Sequence, residues 1–195
     1  MQLHIAHATI NLHLPLSAIG GIEAFTELAA EPAAATIGLT LPAHGEYWAG
    51  QGGHYICTQP ALLGLPARHL IFGASEAEDL AFGPSVDVPG AKSQLDGRAN
   101  TAALLTASRD HAAAKWASEY QADGHSDFHL PSRMDLLMAY VCAPSLFKTS
   151  GWYWSSTQYS RNVAFVQVFE YGYSGWGVKG YERRVRACRW IHLNA

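Results

Sequence analysis

The last third of the chain constrains the fold most. Val163 to Phe169 alternates as a strand does, with Val163, Phe165, Gln167 and Phe169 on one side and Ala164, Val166 and Val168 on the other. Short runs of the same character flank it: Trp152–Ser156 before, then Trp176–Lys179 and Arg184–Ile191 after, with 171–175 as a turn. Strands this short and this closely spaced call for an antiparallel meander that buries one face.

Two helices are expected upstream. The first runs from about Thr101 to Tyr120, capped by Asn100 or Thr101 and stopped at Asp123-Gly124, with Leu105, Ala112 and Trp116 on one stripe. The second opens at Ser132, which stands three residues before Asp135 in the spacing of a capping box. Its apolar face reads as Met134, Leu137, Met138 and Val141, and Pro144 closes it. Earlier still, His54–Thr58 and Arg68–Phe72 read as a hairpin, and Gly73–Gly97 as loop. Strands, then helices, then strands is an α+β order, without βαβ alternation.

The first 40 residues differ in texture and are set apart as a small extension, with the main domain from 41 to 195. Met1–Leu14 reads as a strand ended by Pro15, and Ser17–Ala30 as a short helix closed by Pro32.

Apolar residues make up 49% and charged residues 15%, which suits a folded domain with a true core. The net charge of −3 gives no electrostatic case for nucleic acid. No stretch resembles a secretory signal, and none approaches the roughly 20 apolar residues of a membrane span. Cys57, Cys142 and Cys188 are an odd, widely spaced set, read as buried thiols, with a single Cys142–Cys188 bridge left open. The ten histidines include the pairs His4/His7 and His125/His129, but none has metalloprotease spacing. No metal or cofactor is therefore expected.

Ser155, Ser156 and Thr157 lack the Gly-x-Ser-x-Gly surroundings of a nucleophile and are expected to bond backbone in a turn. Trp154 is expected in the core. Arg184, Arg186 and Arg189 are expected on aromatic rings and loop carbonyls. The side chains left for binding are Tyr159, Arg161, Tyr171, Tyr173, Trp176 and Lys179, mixed with glycine and serine. Rigid aromatic rings among small adaptable residues are the composition of a recognition surface.

Four segments in order, Asp96-Gly97-Arg98-Ala99-Asn100-Thr101, His129-Leu130-Pro131-Ser132-Arg133, Trp154-Ser155-Ser156-Thr157 and Arg184-Val185-Arg186-Ala187, resemble the DUF1566 group. Gly45–Gly53 also resembles a segment that accompanies this domain in phage and prophage proteins. The resemblance covers roughly residues 45 to 191 and implies a C-type lectin-like fold, with two helices and a short-stranded antiparallel sheet. It further implies a non-enzymatic binder of a host cell-surface protein or glycan, in a class where homotrimers are common, carried on a phage tail or held in the bacterial cytoplasm before assembly. The variable proteins of diversity-generating retroelements share this fold, and their diversified stretch would correspond to Gln158–Lys179 here. The Glu-Pro-Asn and Trp-Asn-Asp signatures of calcium-dependent sugar binders do not occur, and no cysteine pair matches that of the formylglycine-generating enzymes. No catalytic residue is carried over. Three other readings stand beside this one: an intracellular phage-encoded interaction factor, such as an inhibitor of host defence; a structural tail or baseplate component; and an oxidoreductase-like relative of the formylglycine-generating enzymes that would depend on Cys142 or Cys188.

Overall fold

The computed structural model describes residues 41–107 and 109–193, together with the strands β1 (Gln2–Ile5) and β2 (Ala8–Asn11). The chain divides into two compact units, Met1–Leu39 and Thr40–Ala195. In the first, the single strand expected over Met1–Leu14 is instead two strands paired antiparallel, with Ile5 opposite Ala8. The helix expected over Ser17–Ala30 lies outside the described residues.

The second unit is mixed α+β, with three helices and two sheets of five and four strands among the described residues. The four-stranded sheet holds β3 (Tyr47–Trp48), β4 (Gly53–Gln59), β5 (Arg68–Phe72) and β11 (Cys188–His192), in the order β11-β5-β4-β3. Its centre is the expected hairpin of β4 and β5. The five-stranded sheet runs β6-β10-β7-β8-β9, from β6 (Ala77–Ala81) through β10 (Glu182–Val185), β7 (Tyr153–Gln158) and β8 (Val163–Gln167) to β9 (Ser174–Val178). It is not wholly antiparallel, because β10 lies parallel to β7 with Arg184 opposite Tyr153. The run Arg184–Ile191 is two strands in two sheets rather than one. Val185 closes β10 against β6, and after Ala187 the chain enters β11 against β5. The stretch 73–97, read as loop, supplies β6 and a 3-10 turn at Pro89–Ala91.

The helix expected over 101–120 is two. α1 (Gly97–Thr106) begins earlier, because Asp96 and not Asn100 caps it, accepting from Ala99 N at 2.8 Å. α2 (Ala112–Glu119) follows a break and buries Ala113, Ala114 and Ala117. Leu105 therefore lies largely exposed, off the expected stripe. α3 (Arg133–Cys142) carries the expected capping box, with Ser132 and Asp135 each accepting from the other's backbone N–H. Its buried face is Asp135, Leu136 and Ala139, whereas Val141 is exposed. Placing Asp135 inside turns the helix away from the expected face.

One core lies between α1, α2 and the five-stranded sheet, around Leu104, Ala114, Phe128, Trp154, Val166 and Val185. Trp154 is fully buried, as expected, and its indole N–H donates to Leu80 O at 3.0 Å. A second core joins α3 to both sheets, where Phe147 stacks on Phe169 at 3.8 Å between ring centres.

Candidate functional site

Three of the four segments singled out in the sequence, around Asn100, Pro131 and Ser156, meet in a buried hydrogen-bonded hub. Asn100 donates to Ser93 O at 2.7 Å and Ser156 Oγ at 3.2 Å, and its amide oxygen accepts from Ser93 N at 2.9 Å. Thr157 Oγ1 donates to Ser93 O and accepts from Arg133 N. Ser156 Oγ donates to Pro131 O, and Ser155 Oγ to Phe165 O. All three hydroxyls are thus committed to backbone, as expected, though within β7 rather than in a turn. The hub fixes α1, α3 and β7 to one another, and so positions the β7–β8–β9 face.

On that face, the structure brings together Tyr159 and Trp176. Their rings stack at 4.9 Å between centres and 26° between planes, and both are more than half exposed. Beneath them Phe165, the cross-strand partner of Trp176, is almost fully buried. Tyr159 meets Phe165 edge-on at 5.8 Å, and the Arg133 guanidinium lies 4.3 Å over the Phe165 ring. These groups, with Tyr173, Ser174 and Gly175, line an open hollow of about 330 Å³. Arg133 is anchored within reach of Ser174 Oγ at 3.3 Å and Gln94 Oε1 at 3.4 Å. The result is an apolar ledge with a fixed cation beside it, an arrangement suited to a flat apolar face that also carries hydrogen-bond acceptors.

The other expected site residues divide. Tyr173 borders the hollow, but its ring lies over Gly175 and edge-on to Trp152 at 5.5 Å. Tyr171 is exposed and lies outside the residues that line the hollow. Arg161 is exposed and reaches Ser85 O at 3.3 Å. Lys179, expected among the binding side chains, requires a correction: it is fully buried and cannot belong to an exposed binding face. Its ammonium donates to Val86 O at 2.7 Å and to Gln158 Oε1, so it ties the 84–88 loop to β7. Burial pulls that ammonium down to about 8. Phe165 and Arg133 were not among the expected site residues. Phe165 was legible as a member of the β8 alternation, but nothing in the sequence set it opposite Trp176.

The arginines behave as expected. Arg186 donates to Leu146 O and Ala74 O and lies over Phe147. Arg189 pairs with Asp127 at 2.7 Å and donates to Gln51 O. Arg184 donates to Ser150 O and pairs with Glu76 and Glu78.

A second cluster lies in the core between α3 and β11. His129, Asp135 and Cys188 bring one ligand-type atom each within 4.8 Å of one another, all buried. Each has a partner, although His129 Nδ1 is buried without one among the described residues. Cys188 Sγ lies 3.4 Å from His129 Nε2, and Asp135 accepts from Ser132, Gln59 and, at 3.8 Å, pairs with Arg68. Burial raises the Cys188 thiol well above its ordinary range and lowers His129 to about 3. Both are therefore neutral near pH 7, so this thiol–imidazole pair is not the thiolate–imidazolium pair that a cysteine nucleophile needs. The arginine already balances the one carboxylate. Cys57, Cys142 and Cys188 are all unbridged in this structure.

No protein-family model matches this sequence, and no curated protein sequence matches it significantly.

Proposed function

We propose that this protein is a non-enzymatic binder of a host cell-surface protein or glycan, of phage or prophage origin, on a C-type lectin-like scaffold. The observation that carries the reading is the Tyr159–Trp176 stack, with both rings more than half exposed beside the Arg133-bordered hollow. Leaving two large rings in water is unfavourable, at about 25 cal/mol per Å² of apolar surface, and a partner that covers them recovers that energy. Stacking supplies the affinity, and Arg133 orients a polar group of the partner.

The burial pattern also fits a retroelement-type variable stretch only in part. Within 158–179, Gln158, 164–169 and Lys179 are buried and build the sheet, while Tyr159, Arg161, Tyr171, Tyr173, Trp176 and Val178 are exposed. Variation on the exposed set would change the ligand without unfolding the scaffold.

The test is binding of labelled protein to intact bacteria, with Tyr159→Ala/Trp176→Ala alongside. Saturable binding that the double variant loses is the expected result. Equal binding by the variant would place recognition elsewhere, and no binding to any cell would turn the search to an intracellular partner.

A further inference from the structure

We propose that the hollow beside the Tyr159–Trp176 stack takes a single hexuronic acid ring, so that the ligand of this face is an acidic glycan. The inference rests on the surface-binding reading and narrows its ligand. It starts from Arg133. The guanidinium lies over Phe165, and its Nε donates to Ser174 Oγ at 3.3 Å, so two of its contacts are residues that line the hollow. Nη1 reaches Gln94 Oε1 at 3.4 Å on the exposed side. Nη2 makes no hydrogen bond among the described residues and, unlike Arg68 Nη1, is not sealed from water. In the planar guanidinium, Nη2 shares an edge with Nε and therefore faces the side where Ser174 lies. Ser174 Oγ accepts from Nε, and its own proton has no acceptor among the described residues. That edge thus offers two donors side by side. Arg133 also has no ion pair among the described residues, whereas Arg68, Arg184 and Arg189 are each paired. None of the residues that line the hollow is acidic. A carboxylate is the group that accepts from such an edge and balances its charge.

The rest of the ligand follows from the ledge. The exposed parts of Tyr159 and Trp176 are flat and apolar and suit a ring with a C–H face. The hollow, about 330 Å³, lies at the low end of the roughly 300–1,000 Å³ of small-molecule sites, which suits one ring with its substituents. Because it is open, the far side of the ligand stays in water. A pyranose meets both conditions, with C–H groups on a face and hydroxyls round its edge that remain hydrated. A uronic acid carries its charge on that edge, as Arg133 stands at the edge of the ledge. A glutamate side chain on a protein partner would satisfy Arg133 but leave the two rings uncovered.

The test is saturation-transfer NMR on the full-length protein with the methyl glycosides of glucuronic and galacturonic acid, beside the matching glucoside and galactoside. One of the acids should bind with a Kd on the order of 1 mM, about tenfold tighter than its neutral counterpart. That preference should shrink in about 1 M salt. Arg133→Gln should bring the acid down to the level of the neutral sugar, and Trp176→Ala should weaken both. Four results would each overturn the proposal: binding of neither acid, equal binding of acid and neutral sugar, an undiminished preference in Arg133→Gln, or equal binding of N-acetylglutamate, which would assign the site to an acidic peptide. None of these touches the surface-binding reading, which fails separately if Tyr159→Ala/Trp176→Ala binds intact bacteria as the parent does.

Discussion

Tyr159 stacks on Trp176 at 4.9 Å, although the two residues come from just beyond the end of β7 and from the middle of β9, with β8 between the strands. The stack is therefore set by sheet register and not by local sequence. Trp176→Ala should lower stability by less than about 1 kcal/mol, because the ring is already 58% exposed. If this pair anchors a partner, the same change should weaken binding by about 2 kcal/mol, roughly thirtyfold. A double-mutant cycle with Tyr159→Ala should show coupling of about 1 kcal/mol, measured by binding titration of the four proteins. Additive losses would mean that the rings act separately.

Gly177 makes that register possible. A Cβ there would lie 2.9 Å from Arg183 Nε and 3.0 Å from the Trp154 ring, both held in place by their contact with one another. Gly177→Ala should destabilise the fold by about 2 kcal/mol in urea unfolding. Gly180, three residues on, meets nothing within 4 Å, so Gly180→Ala should change stability by less than about 0.5 kcal/mol. A neutral Gly177→Ala would show that Arg183 can withdraw.

Local chemistry was the legible part of this chain. The β4–β5 hairpin, the Ser132–Asp135 box and the β8 alternation each depend on residues a few positions apart. Elements decided by distant partners were not legible. Nothing near Ala187 says that the strand must leave β6 for β5 there, where Cys188 pairs with His129 from 59 residues away. The buried face of α3 is displaced because Arg68 and Gln59 receive Asp135 in the core. For the candidate site, residue type singled out Tyr159 and Trp176, which the structure brings together, and also Lys179, whose place under the 84–88 loop depends on Val86 and Gln158.

His129 makes the fold sensitive to acid. Burial, reinforced by Arg98 and Arg68, lowers its pKa to about 3 from an ordinary 6.5. Below pH 6.5 the unfolded chain takes up a proton that the folded chain refuses, so stability falls as pH drops from about 6.5 towards 3. The loss due to this one residue is about 2 kcal/mol at pH 5. His111 and His69 are lowered by burial too and add in the same direction. Urea midpoints at pH 7 and pH 5 should differ less in His129→Gln than in the parent. Equal differences would mean that the buried imidazole accepts its proton without unfolding.

Lys179 gives the opposite end of the pH range. Desolvation is the main cause of its fall from 10.5 to about 8, partly offset by Asp87. Between those values the unfolded chain holds a proton that the folded chain has released, so this group's contribution to stability rises with pH from about 8 to 10.5. Burial raises the Cys57 thiol to about 12 and Cys188 in the same direction, and these thiols work against the trend, because they ionise first in the unfolded chain. A comparison of the parent with Lys179→Met cancels the thiols. The parent should gain stability relative to the variant between pH 8 and pH 10, as read by urea unfolding at the two values. A constant difference would show that the ammonium stays charged in its buried position, held by Val86 O and Gln158 Oε1, and that these acceptors outweigh the loss of water.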